Sequence, residues 1–191
     1  MPTVVVPHSP WSAETDPGLM LLIAEGNKSA FTELARRHML AMHSFAKRFV
    51  RRSEADDIVQ EALTRIWLKA GQWQDRGISP RSWLMRIVYN LSMDSIRKQP
   101  MLSEQSSDEL MATDKAPEQH FEQDLKQQQL NKAMQELPER QRSAIMLTVY
   151  HAMTNREAAE VLDVSIDALE SLLSRGRRGL KQNISQQQGA I

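Results

Sequence analysis

The chain has 191 residues, which is enough for one large or two small domains. Its 24 basic and 24 acidic side chains give a formal net charge of zero, so binding to nucleic acid would need local patches of positive charge. The chain contains no cysteine, which excludes disulfides, thiolate zinc sites and a cysteine nucleophile. Because the N-terminus lacks the regions of a signal peptide and no apolar run is long enough to span a bilayer, we expect a cytoplasmic protein.

The first part of the chain, residues 16–99, is predicted to be helical. Apolar residues recur there at helical spacing in four segments. These segments are residues 16–23, 29–50, 53–70 and 80–99. The predicted N-caps are Asp16, Ser53 and Ser79, because a proline directly follows the first and the last, and an acidic residue follows the second three positions later.

An acidic stretch divides the chain after this part. From Glu104 to Asp124, seven acidic residues accompany one basic residue, a net charge of minus six. The first half of the stretch has few large apolar residues, which predicts a flexible linker before helices resume at about residue 118. The fold is therefore expected to be all-α, with two small helical domains, residues 16–99 and 121–185, joined by a linker of residues 100–120. We expect residues 1–15 to be a disordered N-terminal tail and residues 186–191 to be a C-terminal tail.

Two short helices joined by a three-residue turn are predicted near the C-terminus. Thr154 and Glu157 form a capping box that starts the first helix, and Ser165 caps the second. The inward face of the second helix carries Ile166, Leu169, Leu172, Leu173 and Leu180. Its outward face is polar throughout and carries Asp167, Glu170, Ser171, Ser174, Arg175 and Arg178. The pattern is typical of a helix-turn-helix, whose second helix lies in the DNA major groove, although a helical hairpin with a solvated face would have the same pattern.

Two stretches of the chain resemble one family of transcription proteins. The fourth conserved region of sigma-70-type initiation factors is similar to "LPERQRSAIMLTVYHAMTNREAAEVLDVSIDALESLLSRGRRGL", and the second is similar to "SAFTELARRHMLAMHSFAKRFVRRSEADDIVQEALTRIWLKAGQW" followed by "SPRSWLMRIVYNLSMDSIRK". Both occur in the family's order, separated by a linker and without the other regions, which is the layout of the extracytoplasmic-function subclass. The resemblance covers residues 16–181. It implies a sigma factor that binds core RNA polymerase and directs it to a subset of promoters.

The resemblance also implies surfaces for polymerase and for the minus-ten promoter element. The acidic helix of the second region would dock on the clamp helices of core polymerase. That helix carries Asp56, Asp57, Gln60 and Glu61. The flap of core polymerase is a second expected partner surface. The minus-ten element would be captured as single-stranded DNA, with Trp73 as a stacking platform and Asn90 beneath the captured base. The full set for this surface is Trp73, Arg76, Arg81, Arg86, Asn90, Arg97 and Lys98, whereas Trp67 and Trp83 are predicted to be core.

The minus-thirty-five element would be read as duplex DNA by the second helix of the helix-turn-helix. The residues implied are Glu170, Ser171, Ser174, Arg175 and Arg178. Family members often carry lysine and arginine at the positions of Glu170 and Leu172, so this chain departs from the pattern there. The helix macrodipole favours a carboxylate at Asp167 by about 0.3–1 kcal/mol, whereas Glu170 would accept a hydrogen bond from the cytosine N4 amino group. We expect Glu170 to tune the promoter sequence that is read. The alternative is that Glu170 is a solvated side chain at the rim of the DNA contact.

Control by an anti-sigma factor is a further implication of the resemblance. Such a partner is often tethered to a membrane, which would hold the sigma factor at the inner membrane face. Because the linker is flexible, we expect the free protein to show large motion of the two domains. We expect no enzyme activity and no cofactor, because phosphate loops and nucleophile motifs are missing and the five histidines form no metal-binding pair. Two alternatives stay open. One is a stand-alone helix-turn-helix regulator, in which the acidic helix has no role, and the other is an adaptor that binds only protein and lacks salt-dependent DNA affinity.

Overall fold

A computed structural model describes residues 10–74, 77–98 and 121–188 of the chain. Within these residues the structure is all-α and has no strand, which confirms the predicted fold class. The helices are α1 (Asp16–Ala24), α2 (Lys28–Ala46), α3 (Arg52–Lys69), α4 (Pro80–Lys98), α5 (Phe121–Gln135), α6 (Glu139–Ile145), α7 (Asn155–Leu162) and α8 (Ile166–Gln188), with a 3-10 turn at Ala70–Gln72 and a π-helical turn at Met146–Tyr150. The predicted linker of residues 100–120 lies outside the described residues.

The start of α1 differs from its prediction by one residue. Its N-cap is Thr15, whose Oγ1 accepts a hydrogen bond from the Gly18 backbone N–H at 3.2 Å. Asp16 was the predicted cap, but its carboxylate binds Arg37 at 2.9 Å and His38 at 2.6 Å. A side chain held by two partners on α2 is not free to turn back onto its own helix.

The start of α3 also differs from its prediction. The helix begins at Arg52, before the predicted cap Ser53. Glu54 closes the first turn by accepting a hydrogen bond from the Arg51 backbone N–H at 3.3 Å. Because Glu54 has the role predicted for Asp56, the Asp56 carboxylate stays at the surface.

The remaining predicted caps are confirmed. Ser79 Oγ accepts a hydrogen bond from the first turn of α4 at 3.1 Å. Thr154 and Glu157 form the capping box that starts α7. Ser165 Oγ accepts a hydrogen bond from the first turn of α8 at 3.1 Å.

Helices α1 to α4 form the N-terminal block, residues 10–98. Its core centres on Phe45, which is fully buried and packs on Phe49 and Tyr89 at centroid distances of 4.9 and 6.5 Å. Offset and edge-on aromatic pairs of this kind contribute stability beyond the apolar area that they bury. The end of α2 is therefore the central support of this block.

One arginine of α2 binds the segment that precedes α1. Arg37 donates hydrogen bonds to the carbonyl oxygens of Trp11 and Ser12, both at 3.0 Å, and of Glu14 at 2.7 Å. The last residues of the predicted tail, 10–15, therefore contact the folded block. Residues 1–9 lie outside the described part of the chain.

A buried carboxylate stabilises the same corner of the block. Glu33 is 1% exposed, and its oxygens accept hydrogen bonds from Arg36 at 2.7 Å and from Arg37 at 2.9 Å. These bonds lower the pKa of Glu33 to about 2. The pairing is needed because an unpaired buried charge would be strongly unfavourable.

Helices α5 to α8 form the C-terminal block, residues 121–188. Two glycines allow α8 to pack closely on α6 and on the residues just before it. A Cβ on Gly176 would lie 2.9 Å from Ile145 Cδ1, and a Cβ on Gly179 would lie 2.8 Å from Leu137 Cδ2. A larger residue at either position would require the facing side chain to shift.

The predicted inward face of α8 is right at most positions and wrong at one. Leu169, Leu172 and Leu173 are buried, and Leu180 packs partly against the core. Ile166 is instead 46% exposed. It is the first residue of the helix, so its side chain lies over the turn and not over the core.

The two blocks dock on each other. Helix α4 packs along α7, and buried residues from both blocks form one continuous apolar cluster. At the end of α2, the Phe45 ring lies 5.8 Å from the His151 ring, and the Arg142 guanidinium lies 4.6 Å from the centre of the Phe49 ring. The same side chains that support the N-terminal block therefore also meet the C-terminal block.

Candidate polymerase and promoter surfaces

An acidic surface runs along the exposed side of α3. The four residues predicted for it, Asp56, Asp57, Gln60 and Glu61, are all exposed. Asp56 Oδ1 lies 2.7 Å from His43 Nε2, and Glu61 Oε1 accepts a hydrogen bond from Arg65 Nε at 2.7 Å. The two carboxylates nevertheless remain at least half accessible. Their negative charge is therefore available to a basic partner surface.

An apolar groove lies beside the acidic surface, between α2 and α3. Its cavity measures about 610 Å³. The apolar lining is Phe31, Met39, Leu40, Val59, Leu63 and Trp67, and Asp56 and Gln60 lie beside it. Leu40 is 79% exposed, and large exposed apolar side chains in one patch are typical of a surface for another molecule.

Sequence analysis missed this groove. Met39 and Leu40 fall outside the apolar stripe of α2, and that departure was the available signal. Trp67 was predicted to be core; it packs edge-on against Phe31 at 5.4 Å and is partly buried, but one side of it also lines the groove.

The residues predicted for the minus-ten strand fall into two groups along α4. Arg86, Asn90 and Arg97 recur at intervals of four and seven residues, so they share one face of the helix. Asn90, Arg97 and Lys98 are exposed. Arg81 and Arg86 are only partly exposed, because both contact the C-terminal block.

These two contacts join α4 to the neighbourhood of α7. Arg81 Nη2 donates a hydrogen bond to the carbonyl oxygen of His151, just before α7. Arg86 Nη2 lies 2.9 Å from Asp163 Oδ1, in the turn of the helix-turn-helix. The described structure therefore brings Arg81 and Arg86 against the C-terminal block, and leaves Asn90, Arg97 and Lys98 exposed.

Trp73 does not offer an exposed ring. It follows the 3-10 turn Ala70–Gln72, is 8% exposed and belongs to the core of the N-terminal block. The turn packs against α1, which directs the tryptophan inward. The prediction of a stacking platform at Trp73 is therefore wrong for this structure, and Arg76 lies outside the described residues.

A buried histidine lies where the two blocks meet. His151 is 7% exposed, and its Nε2 has no hydrogen-bond partner among the described residues. Burial, followed by the positive charges of Arg81 and Arg48, lowers the pKa of His151 to about 4. The imidazole is therefore neutral at neutral pH, and a proton on it would disfavour the contact between the blocks.

The polar face of α8 points to solvent. The residues predicted for it, Glu170, Ser171, Ser174, Arg175 and Arg178, are all exposed, as is Asp167. Two shallow concavities of about 420 and 700 Å³ share Glu170 as a lining residue. Asn155 of α7 lines the smaller one. Sequence analysis missed Asn155, because only the fold brings the start of α7 beside Glu170.

The described residues contain neither a metal site nor a membrane-spanning helix. No three His, Asp or Glu side chains among them are arranged to hold a metal ion. None of the described helices is both long and apolar enough to cross a membrane. Carboxylates and apolar groups lie on α3, cations on α4, and mixed polar groups on α8.

Comparison with known families gives the class of protein that this fold and these surfaces define. Residues 34–100 match Sigma-70 region 2, and residues 127–180 match Sigma-70, region 4. The chain belongs to the sigma-70 family of transcription initiation factors, and within it to the extracytoplasmic-function sigma factors. As a sigma factor, it directs initiation of transcription by RNA polymerase.

Individual relatives agree with this assignment over more than four fifths of the chain. RNA polymerase sigma factor CnrH of Cupriavidus metallidurans is 30% identical over 169 residues, covering 82% of this chain and 87% of CnrH. ECF RNA polymerase sigma factor SigK of a Mycobacterium species is 24% identical over 168 residues, covering 85% of this chain and 87% of SigK.

Two solved structures share the fold. CnrH in complex with the cytosolic domain of CnrY matches with a TM-score of 0.68 and 26% identity, covering 89% of this chain and 97% of the CnrH chain. The sigma factor RpoE in complex with the anti-sigma factor NepR, from Bartonella quintana, matches with a TM-score of 0.64 and 25% identity, covering 81% of this chain and 96% of the other.

Proposed function

We propose that the acidic surface of α3 and the apolar groove beside it bind core RNA polymerase at its clamp helices. The observation that carries this proposal is that exposed carboxylates and a large exposed apolar groove lie side by side on one block. Apolar side chains supply area to bury, and the carboxylates supply charge complementarity that orients a basic partner. The residues proposed are Asp56, Asp57, Gln60 and Glu61, with Met39 and Leu40 of the groove.

The proposed surface for the minus-ten strand is the face of α4. Arg86, Asn90 and Arg97 form a stripe about 16 Å long, estimated from the rise of a helix. Arginine side chains suit the phosphates of a single strand, and an amide that both donates and accepts suits the edge of an unstacked base. Arg81 and Lys98 would add phosphate contacts on either side.

The polar face of α8 is proposed to read the minus-thirty-five element as duplex DNA. Ser171, Ser174, Arg175 and Arg178 supply donors for phosphates and bases, and Glu170 supplies a carboxylate acceptor for a cytosine amino group. The exposure of this whole face supports the proposal. The residues on α4 and α8 divide the two promoter elements between the N-terminal and C-terminal blocks.

An anti-sigma factor is the proposed regulator. The structures of CnrH with the cytosolic domain of CnrY and of RpoE with the anti-sigma factor NepR support this proposal, since both sigma factors share this fold. We extend it to a membrane-tethered partner because the CnrY in that complex is a cytosolic domain. The sigma factor itself would act in the cytoplasm, where its polymerase is.

Transcription with purified core polymerase tests the proposal directly. A library of upstream sequences is transcribed with and without the sigma factor, and the expected result is new, sequence-selective initiation that shares two promoter elements. No stimulation, together with retained duplex binding, would contradict the proposal and favour a stand-alone regulator.

A charge reversal tests the polymerase surface separately. Asp57→Lys should weaken binding to core polymerase by about tenfold or more, because it places a cation against a basic partner. Glu25→Lys is the matched control, since it makes the same change at an exposed residue just after α1. Equal binding by both variants would show that α3 is not the contact surface.

A further inference from the structure

A histidine lies at the rim of the apolar groove, in contact with the acidic surface. His43 of α2 and Asp56 of α3 both line the groove, and His43 Nε2 lies 2.7 Å from Asp56 Oδ1. The carboxylate side chain is 65% exposed and the imidazole is 24% exposed, so a docking partner can reach both. The pair therefore joins the two parts of the proposed polymerase surface, the apolar groove and the acidic face.

The groove has few charged groups besides this pair. Its lining comes from α2 and α3, and among the described residues in it only His43 and Asp56 can carry a charge. Lys47 follows His43 by one turn on α2, Arg52 precedes Asp56 by one turn on α3, and Asp57 is next to Asp56. These three residues lie outside the lining. A proton on His43 therefore changes the charge of the groove lining from minus one to zero.

The two charge states of a histidine have different effects on a neighbouring carboxylate. Histidine is the side chain that ordinarily changes its charge between about pH 5 and 8. A neutral imidazole can donate one hydrogen bond to the Asp56 carboxylate and leaves its negative charge intact. An imidazolium forms an ion pair with the carboxylate and cancels that charge. A basic partner surface would meet a full negative charge in the first state and a neutral pair in the second.

A second histidine of α2 forms the same kind of pair at a different place. His38 Nε2 lies 2.6 Å from Asp16 Oδ2, and the same carboxylate binds Arg37 at 2.9 Å. This pair joins α2 to α1, and neither His38 nor Asp16 lines the groove. The two pairs share their chemistry and differ in position. The position of His43 at the groove therefore distinguishes it from His38.

We propose that His43 is a positioning residue for core polymerase, and that its protonation weakens docking. The neutral imidazole orients the Asp56 carboxylate at the rim of the groove, whereas the imidazolium cancels the charge that a basic partner needs. Docking therefore favours the neutral form, and the proton of His43 is released to solvent. The inference rests on the function proposed above for α3, and Asp57→Lys distinguishes failure of that function from failure of the inference.

Isothermal titration calorimetry of the full chain with purified core polymerase gives both readouts. The first readout is the affinity at about pH 6, 7 and 8, at constant salt. The second is the number of protons released on binding, obtained from the difference in heat between two buffers that have different ionisation enthalpies. A side chain with only a structural role would not change the number of protons released. Circular dichroism of each variant reports its helix content.

Two substitutions at His43 fix the two charge states. His43→Gln keeps a hydrogen-bond donor at the rim and has no charge at any pH of the experiment. His43→Lys keeps a positive charge beside Asp56 throughout the same range. His38→Gln is the matched control, because it changes a histidine of the same helix that also binds a carboxylate, but outside the groove. The two His43 variants test the inference independently if one of them lowers the helix content.

His43→Gln is the reference, because groups of the polymerase that titrate affect every variant equally. The wild type should bind as tightly as this reference at about pH 8, and about threefold more weakly at about pH 6, because one surface charge is cancelled. It should also release more protons than the reference at about pH 6, by up to about one. His38→Gln should match the wild type in both readouts. His43→Lys should bind about threefold more weakly than the reference at every pH.

Three results would overturn the inference. Parallel affinity profiles and equal proton release for the wild type and His43→Gln would show that His43 is not linked to docking. Equal affinities of His43→Lys and His43→Gln would show that charge at the rim has no effect. Loss of the pH dependence in His38→Gln would place its origin outside the groove. Any of these results with weakened binding by Asp57→Lys rejects only the role of His43, whereas unchanged binding by Asp57→Lys rejects the proposed polymerase surface itself.

Discussion

The two helices proposed to contact DNA are held in opposite ways. Helix α4 packs along α7, and Arg81 and Arg86 are bound by acceptors of the other block. Helix α8 buries one face against its own block and leaves the whole polar face exposed. The proposed duplex-reading face is therefore open in this structure, whereas part of the proposed strand-binding face is in contact with the other block.

The largest change in stability is expected when a side chain that contacts both blocks is removed. Phe45 is fully buried and contacts Phe49, Tyr89 and, across the interface, His151. Phe45→Ala should lower the free energy of unfolding by about 3–5 kcal/mol, because the lost ring leaves a cavity. Urea denaturation measures this change.

An exposed residue of the same helix provides the control for Phe45. Leu40→Ala should change the free energy of unfolding by less than about 0.5 kcal/mol, because the side chain is 79% exposed. The same variant should weaken polymerase binding, since Leu40 lines the groove. A cost below about 1 kcal/mol for Phe45→Ala would show that α2 does not support both blocks.

A substitution on α8 tests whether its exposed face reads a base, without changing the contact between the two blocks. Glu170→Ala should alter the preferred base pair at one minus-thirty-five position by about 1–3 kcal/mol, because a base-specific acceptor is lost. Selection of promoters from a randomised library measures the preference. Asp167→Ala is the control, since it removes a carboxylate that acts on the helix dipole and should leave the preference unchanged. An unchanged preference in Glu170→Ala would mean that Glu170 only meets solvent.

Acidification tests the contact between the two blocks at His151. Burial, then Arg81 and Arg48, lower the pKa of His151 from 6.5 to about 4 in the folded protein. Between these values the unfolded chain binds more protons than the folded chain, so the stabilisation is complete above about pH 6.5 and is lost as the pH falls toward 4.

The expected loss from His151 over that range is about 2–3 kcal/mol in the free energy of unfolding. His151→Gln should lack this loss, and carboxylates that titrate in both proteins cancel in the difference between them. Urea denaturation at several pH values gives that difference. Parallel pH profiles for the two proteins would show that His151 is not buried in its neutral form.

Local signals in the sequence were sufficient for much of the fold and for the exposure of the polar faces of α3 and α8. The capping box of Thr154 and Glu157 was predicted correctly because all its hydrogen bonds lie within one helical turn. The Asp16 cap was wrong because α2 binds that carboxylate, and the Trp73 platform was wrong because a turn packed on α1 directs the ring inward. Contacts between distant segments decided both outcomes, and the docking of α4 on α7 is of the same kind. No periodicity or local motif reports such contacts.

The smallest expected effect compares a cap that formed with a cap that did not. Thr154→Ala should lower the free energy of unfolding by about 1 kcal/mol, because it leaves the Glu157 backbone N–H without its acceptor at the start of α7. Ser53→Ala should change it by less than about 0.5 kcal/mol, since α3 begins before Ser53 and Glu54 closes its first turn. Both variants replace one exposed hydroxyl, so thermal or urea denaturation compares them directly. If Ser53→Ala proved as costly as Thr154→Ala, α3 would begin at the cap that its sequence suggests. The exposed position of Asp56 on the proposed polymerase surface would then need revision.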